Sequence, residues 1–150
     1  MVGPGLYIPD VTEGITDPSE LPPALIRYRD RCRKKADCPK CGRSCGRNSF
    51  GNRTLHDLGA MDKGCPINLK VAYSKHRCFG CNSYFNTDLG DLAPRGSQYT
   101  NRVVETAVRL ILEDGLPYRV ASWHMWRDHR VFVPFATIQN WSEAAAQKKS

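Results

Sequence analysis

Two cysteine pairs constrain this chain more than any other feature of its sequence. Two residues separate Cys38 from Cys41, and two residues separate Cys78 from Cys81. This spacing lets both thiolates of a tight turn point at one ion, and two such turns supply the four soft ligands of a tetrahedral zinc site. Because four protein ligands leave no coordination position open, the pattern predicts one structural zinc ion rather than a catalytic metal.

The residues after each pair suit such turns, because Gly42 and Asn82 are the two residue types that best tolerate positive φ. The chain has three further cysteines. Cys45 follows Cys41 by four residues and is a rival ligand, whereas Cys32 and Cys65 are isolated. We interpret all three as small buried residues or idle thiols.

Composition narrows the cellular setting. The first residues lack the charged start and apolar stretch of a signal peptide, and no apolar run approaches 18 residues. An odd total of seven cysteines with two C-x-x-C pairs favours metal binding in a reducing compartment over disulfides. We therefore expect a cytoplasmic protein with no membrane span. The net charge of +7 favours an acidic partner, with nucleic acid first.

The positive charge is concentrated around the first cysteine pair, since residues 27–53 contain ten basic side chains and two acidic ones. One interpretation is a solvated face that keeps the protein soluble. We favour contact with phosphates, because the run adjoins the predicted metal site and is rich in arginine. The predicted phosphate-binding side chains are Arg31, Arg33, Lys34, Lys35, Arg43 and Arg77.

The pattern along the chain divides it into four predicted segments. Residues 1–35 form a flexible leader and a basic helix, the helix extending over 21–36 with Ser19 as N-cap. Residues 36–87 form a zinc ribbon, in which Ile67, Leu69, Val71 and Tyr73 alternate with polar neighbours as in a half-buried strand. Residues 88–99 read as a linker, and 100–150 as a helix-turn-helix unit.

The last segment shows helical spacing. Thr100 caps a first helix that Gly115 stops, Pro117 opens a second helix, and Pro134 opens a third. The predicted inward residues are Val120, Trp123 and Trp126 on the second helix, and Ile138, Trp141 and Ala145 on the third. Three short helices with tight turns predict a helix-turn-helix. The predicted fold class is therefore α+β, a small four-cysteine zinc ribbon followed by a three-helix unit.

The outward side of the third helix carries candidate base-reading groups. With Ile138 inward, Thr137, Gln139 and Asn140 are left free. Glutamine and asparagine pair with adenine in the major groove, and threonine can contact a thymine methyl group. The alternative interpretation is an ordinary polar face. We favour DNA readout, because the helix follows a turn of the right kind.

The order of these motifs resembles one family of bacterial insertion-sequence transposases. The resemblance covers roughly residues 36–145 and rests on Cys38-Pro-Lys-Cys-Gly, His56-Asp57-Leu58, His76-Arg77-Cys78-Phe-Gly-Cys81 with Tyr84-Phe85, and Tyr99-Thr100-Asn101-Arg102. It implies recognition of double-stranded transposon ends during transposition, and hence association with the nucleoid. In that family an RNase-H-like catalytic domain with three carboxylates follows these modules. No positions up to Ser150 correspond to it, so we expect a non-enzymatic protein.

Two rival functions remain open at this level. The chain could be the end-recognition subunit of an active transposase whose catalytic chain is separately encoded. It could instead be an RNA- or protein-binding zinc ribbon. A neighbouring reading frame with three spaced carboxylates would favour the first, and a preference for structured RNA would favour the second.

Overall fold

The computed structural model describes residues 23–60 and 62–149, and within them the chain forms five strands and then three helices. This confirms the predicted mixed α+β class. The predicted flexible leader over 1–20 lies outside the described residues. The strands are β1 (Leu25–Arg31), β2 (Lys35–Asp37), β3 (Ser44–Ala60), β4 (Cys65–Cys78) and β5 (Ser83–Asn86), and the helices are α1 (Asn101–Leu112), α2 (Tyr118–His129) and α3 (Phe135–Lys149).

The strands form one sheet around the two long strands β3 and β4. The strand order is β1-β4-β3-β2, and β5 pairs with β4 beside this path. Strand β2 runs antiparallel to β3 with Ala36 opposite Cys45, and β5 runs antiparallel to β4 with Cys78 opposite Ser83. Because both short strands adjoin cysteine turns, the sheet holds the two cysteine pairs at defined positions.

The predicted basic helix over 21–36 is wrong in its described part, which forms β1 and β2 instead. Strand β1 pairs with β4, and only its end residues Leu25 and Arg31 are partly buried. A strand at the edge of an existing sheet gains inter-strand hydrogen bonds that outweigh a weak helical preference. The backbone N–H of Cys32 then donates to Asp30 Oδ1 at 2.9 Å, where the strand ends.

The alternation predicted for β4 is confirmed in its first half and changes side in its second. Ile67, Leu69 and Val71 are buried. After Val71 the buried positions are Ser74, His76 and Cys78, so the period of two continues with its phase shifted by one residue. The two halves of β4 therefore serve two interiors, an aliphatic one and one formed around the cysteines.

The aliphatic cluster consists of Leu55, Leu69, Val71 and Ala93, with Leu89 and Leu92 packed against it. Residues 88–99, predicted as a linker, thus supply three of its side chains. A parallel bridge between His56 and Tyr99 also binds this segment to β3, and the N–H of Thr100 donates to the carbonyl of His56 at 3.0 Å. The segment is folded onto the sheet rather than free, because its leucines bury apolar surface there.

The chain divides into two compact units. We call Ile26–Asp57 together with Asn68–Asn101 the cysteine unit. We call the described residues up to Leu25, Leu58–Ile67 and the described residues from Arg102 the helical unit. In the helical unit α2 packs against α3. The three predicted helices are confirmed as helices. No helix among the described residues is both long and apolar enough to cross a membrane.

The predicted inward side of α2 is wrong. The fully buried residues are Ala121, Ser122 and Met125, whereas Trp123 and Trp126 are only partly buried. The flexible Met125 side chain fills the interior beside the small Ala121 and Ser122. The Ser122 hydroxyl donates to the carbonyl of Val133 at 2.6 Å. Bulky indoles are instead left at the side of the helix.

Arginine side chains cover those indoles. The guanidinium carbon of Arg127 lies 3.9 Å from the ring centre of Trp123, and that of Arg130 lies 4.9 Å from the ring centre of Trp126. Such cation–π contacts are favourable for partly exposed tryptophan. On α3, Ile138 is buried as predicted, Trp141 and Ala145 are partly buried, and Ser142 completes the inward side.

Candidate metal centre

The first cysteine turn closes between β2 and β3. The N–H of Gly42 donates to the carbonyl of Cys38 at 2.8 Å, and the N–H of Cys38 donates to the carbonyl of Arg43 at 2.9 Å. Gly42 has a φ of +78°, as predicted for the residue after this pair. Glycine adopts this backbone region without strain, so the chain can reverse immediately after Cys41.

The second cysteine turn joins β4 to β5. It begins at Cys78 and ends at Ser83, which is paired with Cys78 across the two strands. Asn82 has a φ of +52°, again as predicted. The Asn82 side-chain oxygen also accepts a hydrogen bond from Arg77 Nη2 at 2.8 Å, which holds the turn against β4.

The two turns bring four cysteine sulfurs together. Cys38, Cys41, Cys78 and Cys81 place their Sγ atoms within 4.8 Å of one another. Two of the separations, Cys38 to Cys81 and Cys41 to Cys78, are 3.5 Å. A tetrahedron of sulfurs about 2.3 Å from a zinc ion has edges of about 3.8 Å. The cluster is therefore close to the size that a four-thiolate metal site requires.

Burial differs among the four ligand candidates. Cys38 and Cys78 are buried, whereas Cys41 and Cys81 are exposed. Each turn thus contributes one interior and one surface sulfur, so the cluster lies at the edge of the unit. Phe85 packs against Cys38, Cys45 and Cys78 and covers the interior side.

Backbone amides of the turns prepare two of the thiols for deprotonation. The N–H of Cys41 is the main cause of a pKa of about 6 at Cys38, although burial acts in the opposite direction. At Cys78 the N–H of Cys81 is the main cause of a lowered pKa. Amide hydrogen bonds stabilise a thiolate, and a thiolate is the form that binds metal.

The pKa of Cys41 is raised above that of an ordinary thiol, to about 11. The N–H of Arg43 acts to lower it, but hydrogen bonding with the Cys78 side chain, burial and the two remaining thiols outweigh that contribution. Four crowded sulfurs cannot all carry negative charge without a compensating cation. A bound divalent cation would supply that charge, so metal binding and deprotonation of this cluster are coupled.

The other three cysteines remain outside the cluster. Cys45 is buried, and its Sγ donates to the carbonyl of Arg43 at 3.2 Å, while Cys65 Sγ donates to the carbonyl of Lys63 at 3.3 Å. Cys32 is partly buried next to Asp30. Burial is the main cause of raised pKa values at both Cys32 and Cys45. Neither thiol is thereby prepared as a ligand.

His76 is adjacent to the predicted phosphate-binding residue Arg77, but its own side chain is not available to a phosphate. The imidazole is fully buried and stacks on Phe85 with 5.3 Å between ring centres. Its Nδ1 lies 3.1 Å from the carbonyl of Gly46, and its Nε2 lies 2.7 Å from Ser74 Oγ. Both ring nitrogens have partners, so His76 is a structural link between β4 and β3.

The predicted phosphate-binding side chains of the cysteine unit differ in availability. Arg33, Lys34, Lys35 and Arg43 are exposed. Arg31 instead forms an ion pair with Asp91, in which Arg31 Nη2 lies 3.0 Å from Asp91 Oδ2. The charge of Arg31 is therefore already compensated within the unit. Arg77 is partly buried, and its guanidinium lies near the rings of Phe79 and Tyr84.

The predicted base-reading residues all lie on α3. Asn140 is exposed, whereas Thr137 and Gln139 are partly buried. Gln139 Nε2 donates to Glu143 Oε1 at 2.9 Å, one helical turn along. Asn140 is therefore the most exposed of the three residues, and the side chain of Gln139 is already hydrogen-bonded to Glu143.

Two exposed aromatic side chains lie beside the candidate metal centre and were not among the residues predicted from the sequence. Phe79 and Tyr84 are 77% and 67% exposed beside the second cysteine turn. Alternation along β5, where Ser83 and Phe85 are more buried than Tyr84 and Asn86, is the signal that could have indicated an outward Tyr84.

The comparisons with known proteins add no assignment. The chain matches no family model, no curated protein and no solved structure.

Proposed function

We propose that this protein is a non-enzymatic, sequence-specific DNA-binding protein of the transposase type, with a zinc-stapled ribbon and a helix-turn-helix. The observation that carries the proposal is the four-thiol cluster, which has exposed cations next to it. Lys40 and Arg43 lie in the first turn itself, and Arg33, Lys34 and Lys35 precede it. A closed metal site supports a binding module, and the cations suit a phosphate backbone.

Zinc is the metal that this donor set favours. Four thiolates at near-tetrahedral spacing match the structural zinc sites of small modules. Among the described residues of the cysteine unit, one interior cluster consists of four buried aliphatic residues and another of the buried Cys38, Cys45 and Cys78. Such a unit gains stability from a metal staple, because binding the ion favours the folded chain over the unfolded one.

The helical unit would supply base recognition. Its second and third helices are in contact and are separated by a short connection over residues 130–134. The buried Ile138 and Ser142 face the unit, and the exposed Asn140 faces solvent. An asparagine on the outward side of such a helix can pair with adenine in the major groove.

The preferred site would be the ends of a transposable element, as the resemblance in motif order implies. In that setting a separately encoded catalytic chain is the natural protein partner, and this chain acts as the end-recognition subunit during transposition. Without such a chain, the same binding activity would serve regulation at those ends.

Selection of bound duplexes from a random pool tests the proposal. We expect the zinc-loaded protein to enrich one motif, and the inverted repeats that flank its own gene to compete for binding. Asn140→Ala should lose the enriched motif while it retains weak binding to random duplex. Enrichment of no motif, or stronger binding to structured RNA than to any duplex, would contradict sequence-specific DNA binding.

A further inference from the structure

One face of the β4–β5 ladder carries a surface on which Arg77 is the one side chain that also belongs to the predicted phosphate-binding set. Lys75 is paired across the strands with Asn86, and Arg77 with Tyr84. Their neighbours Ser74, His76 and Cys78 are buried, so the intervening side chains lie on the opposite, solvent-facing side. Phe79 follows in the turn. We call Lys75, Arg77, Phe79 and Tyr84 the aromatic–basic surface.

The two rings of this surface are unusually open. Phe79 is 77% exposed and Tyr84 is 67% exposed, although burial of such a ring is strongly favourable. The guanidinium carbon of Arg77 lies 4.8 Å from the Phe79 ring centre and 5.4 Å from that of Tyr84. Arg77 thus holds both rings near one cation, while their outer faces remain open to solvent.

Arg77 is only partly satisfied within the protein. Its Nη2 donates to Asn82, and its Nε is buried and hydrogen-bonds to no group among the described residues, so Arg77 can reach a ligand only through its terminal nitrogens. Lys75 is exposed on the same face. The surface thus combines two cations with two open aromatic rings. An apolar partner would leave the cations without a counter-charge, and a simple anion would leave the rings uncovered.

Single-stranded DNA matches both components. Unpaired bases have free π faces that stack on aromatic side chains, and the backbone between them carries one negative charge per nucleotide. In a duplex the base faces are already stacked on one another and cannot reach the rings. The net charge of +7 adds long-range attraction for a polyanion.

We propose that the aromatic–basic surface binds single-stranded DNA, with bases stacked on Phe79 and Tyr84 and phosphates at Lys75 and Arg77. The choice of DNA over RNA as the ligand rests on the proposed function. The stacking of unpaired bases on the two rings rests only on the geometry of this surface. A protein that acts at DNA ends would use such a surface to hold an unpaired strand there.

Fluorescence anisotropy with labelled dT20 and zinc-loaded full-length protein tests the proposal. Phe79→Ala and Tyr84→Ala should each weaken binding by about 5- to 150-fold, the range for loss of one stacked base. Tyr84→Phe keeps the ring and should bind as the wild type does. Phe50→Ala is the matched control, since Phe50 is 57% exposed with Arg47 4.5 Å from its ring, yet lies on β3.

Zinc content is measured for every variant. If Phe79→Ala loses zinc, the variants Phe79→Leu and Tyr84→Leu replace the alanine variants, because leucine keeps the apolar bulk and removes the π face. Weakened dT20 binding by the leucine variants supports the proposal. Unchanged dT20 binding by the zinc-loaded Phe79 and Tyr84 variants overturns it, as does tighter binding of rU20 than of dT20. A wild type that binds dT20 but no duplex contradicts the proposed function instead.

Discussion

The Sγ of Cys38 lies 3.5 Å from the Sγ of Cys81, although 43 residues separate them along the chain. Cys38 belongs to the turn after β2, and Cys81 belongs to the turn between β4 and β5. The cluster therefore joins the two sequence segments that make up the cysteine unit. A metal bound there closes a long loop, which makes it a strong constraint on the unfolded chain.

Replacing one interior ligand should remove the metal. Cys78 is fully buried and lies 3.5 Å from Cys41 Sγ, so Cys78→Ser leaves three thiols and a hydroxyl that is a poor zinc ligand. We expect elemental analysis to find about one zinc per wild-type chain and none in this variant. Far-UV circular dichroism should show loss of strand signal.

Cys65→Ser is the control for that variant. Cys65 is partly buried and bonds to the carbonyl of Lys63, away from the sulfur cluster. It should keep about one equivalent of zinc. Full zinc retention by Cys78→Ser would show that these four cysteines are not the ligands.

Metal affinity should rise with pH. The pKa of Cys38 is about 6 and that of Cys41 is about 11, so between pH ~6 and ~8 the Cys41 thiol still carries a proton that the metal must displace. Each displaced proton makes the apparent dissociation constant fall about tenfold per pH unit. Below pH ~6 Cys38 is protonated as well, so the proton displaced from Cys38 should steepen the dependence by a further factor of about ten per pH unit.

Chelator competition at several pH values measures this dependence, with correction for protonation of the chelator. An apparent dissociation constant that stays flat between pH ~6 and ~8 would mean that all four sulfurs are already thiolates before metal arrives.

Gly59→Ala should destabilise the helical unit. A Cβ at this position would lie 2.6 Å from Arg130 Cβ and 2.7 Å from the carbonyl oxygens of Cys65 and His129. Overpacking of this kind costs about 1–3 kcal/mol, because main-chain atoms must move. Urea unfolding followed by tryptophan fluorescence measures the effect, since Trp123, Trp126 and Trp141 all lie in this unit.

Gly46→Ala is the matched strand control. A Cβ at Gly46 meets nothing within 4 Å, and its effect should stay within about 0.5 kcal/mol by circular dichroism. Equal stability of the Gly59→Ala variant and the wild type would mean that the close approach at Arg130 is relieved at no cost.

The basic run should contribute affinity for duplex DNA without sequence preference. Replacing Arg33, Lys34 and Lys35 by alanine should weaken binding to all duplexes alike and reduce the salt slope by about 0.9 for each phosphate that the protein no longer neutralises. Arg31→Ala should have a smaller effect, because Arg31 is already paired with Asp91. Titrations at several salt concentrations distinguish the two, and an unchanged slope in the triple variant would place the phosphate-binding groups elsewhere.

The exposed side of α3 should contribute sequence preference. Asn140→Ala should cost about 1–3 kcal/mol on the preferred site and little on random duplex. Gln139→Ala should act less strongly, because Gln139 is bonded to Glu143. Since Ile138 on the buried side is unchanged, both variants should remain folded. Equal binding of every sequence by the Asn140 variant and the wild type would remove α3 as the reader.

The local features of this protein were predictable from its sequence because they depend on neighbouring residues alone. The spacing of Cys38 and Cys41 limits where their thiols can point, and Gly42 and Asn82 have the positive φ expected after each pair. The three helices were predictable because apolar residues recur at the helical spacing, which gives each helix one apolar face whatever it packs against. The clustering of the four sulfurs was predictable for a different reason: the two turns are far apart in sequence, but soft ligands in two such turns can together complete one tetrahedral metal site.

Other features were decided by the tertiary structure, because they depend on which surfaces meet. Residues 25–31 became β1 since β4 offers them hydrogen-bonding partners that no local signal reveals. The buried side of β4 shifts after Val71 because a second interior, around the cysteines, begins there and takes His76 into it. Likewise, α2 turns Ala121 inward rather than Trp123, since close helix packing favours the smaller side chain. Contacts between residues that are distant in sequence determine which strands pair and which side chains are buried. The pattern of hydrophobic residues along one segment does not determine this.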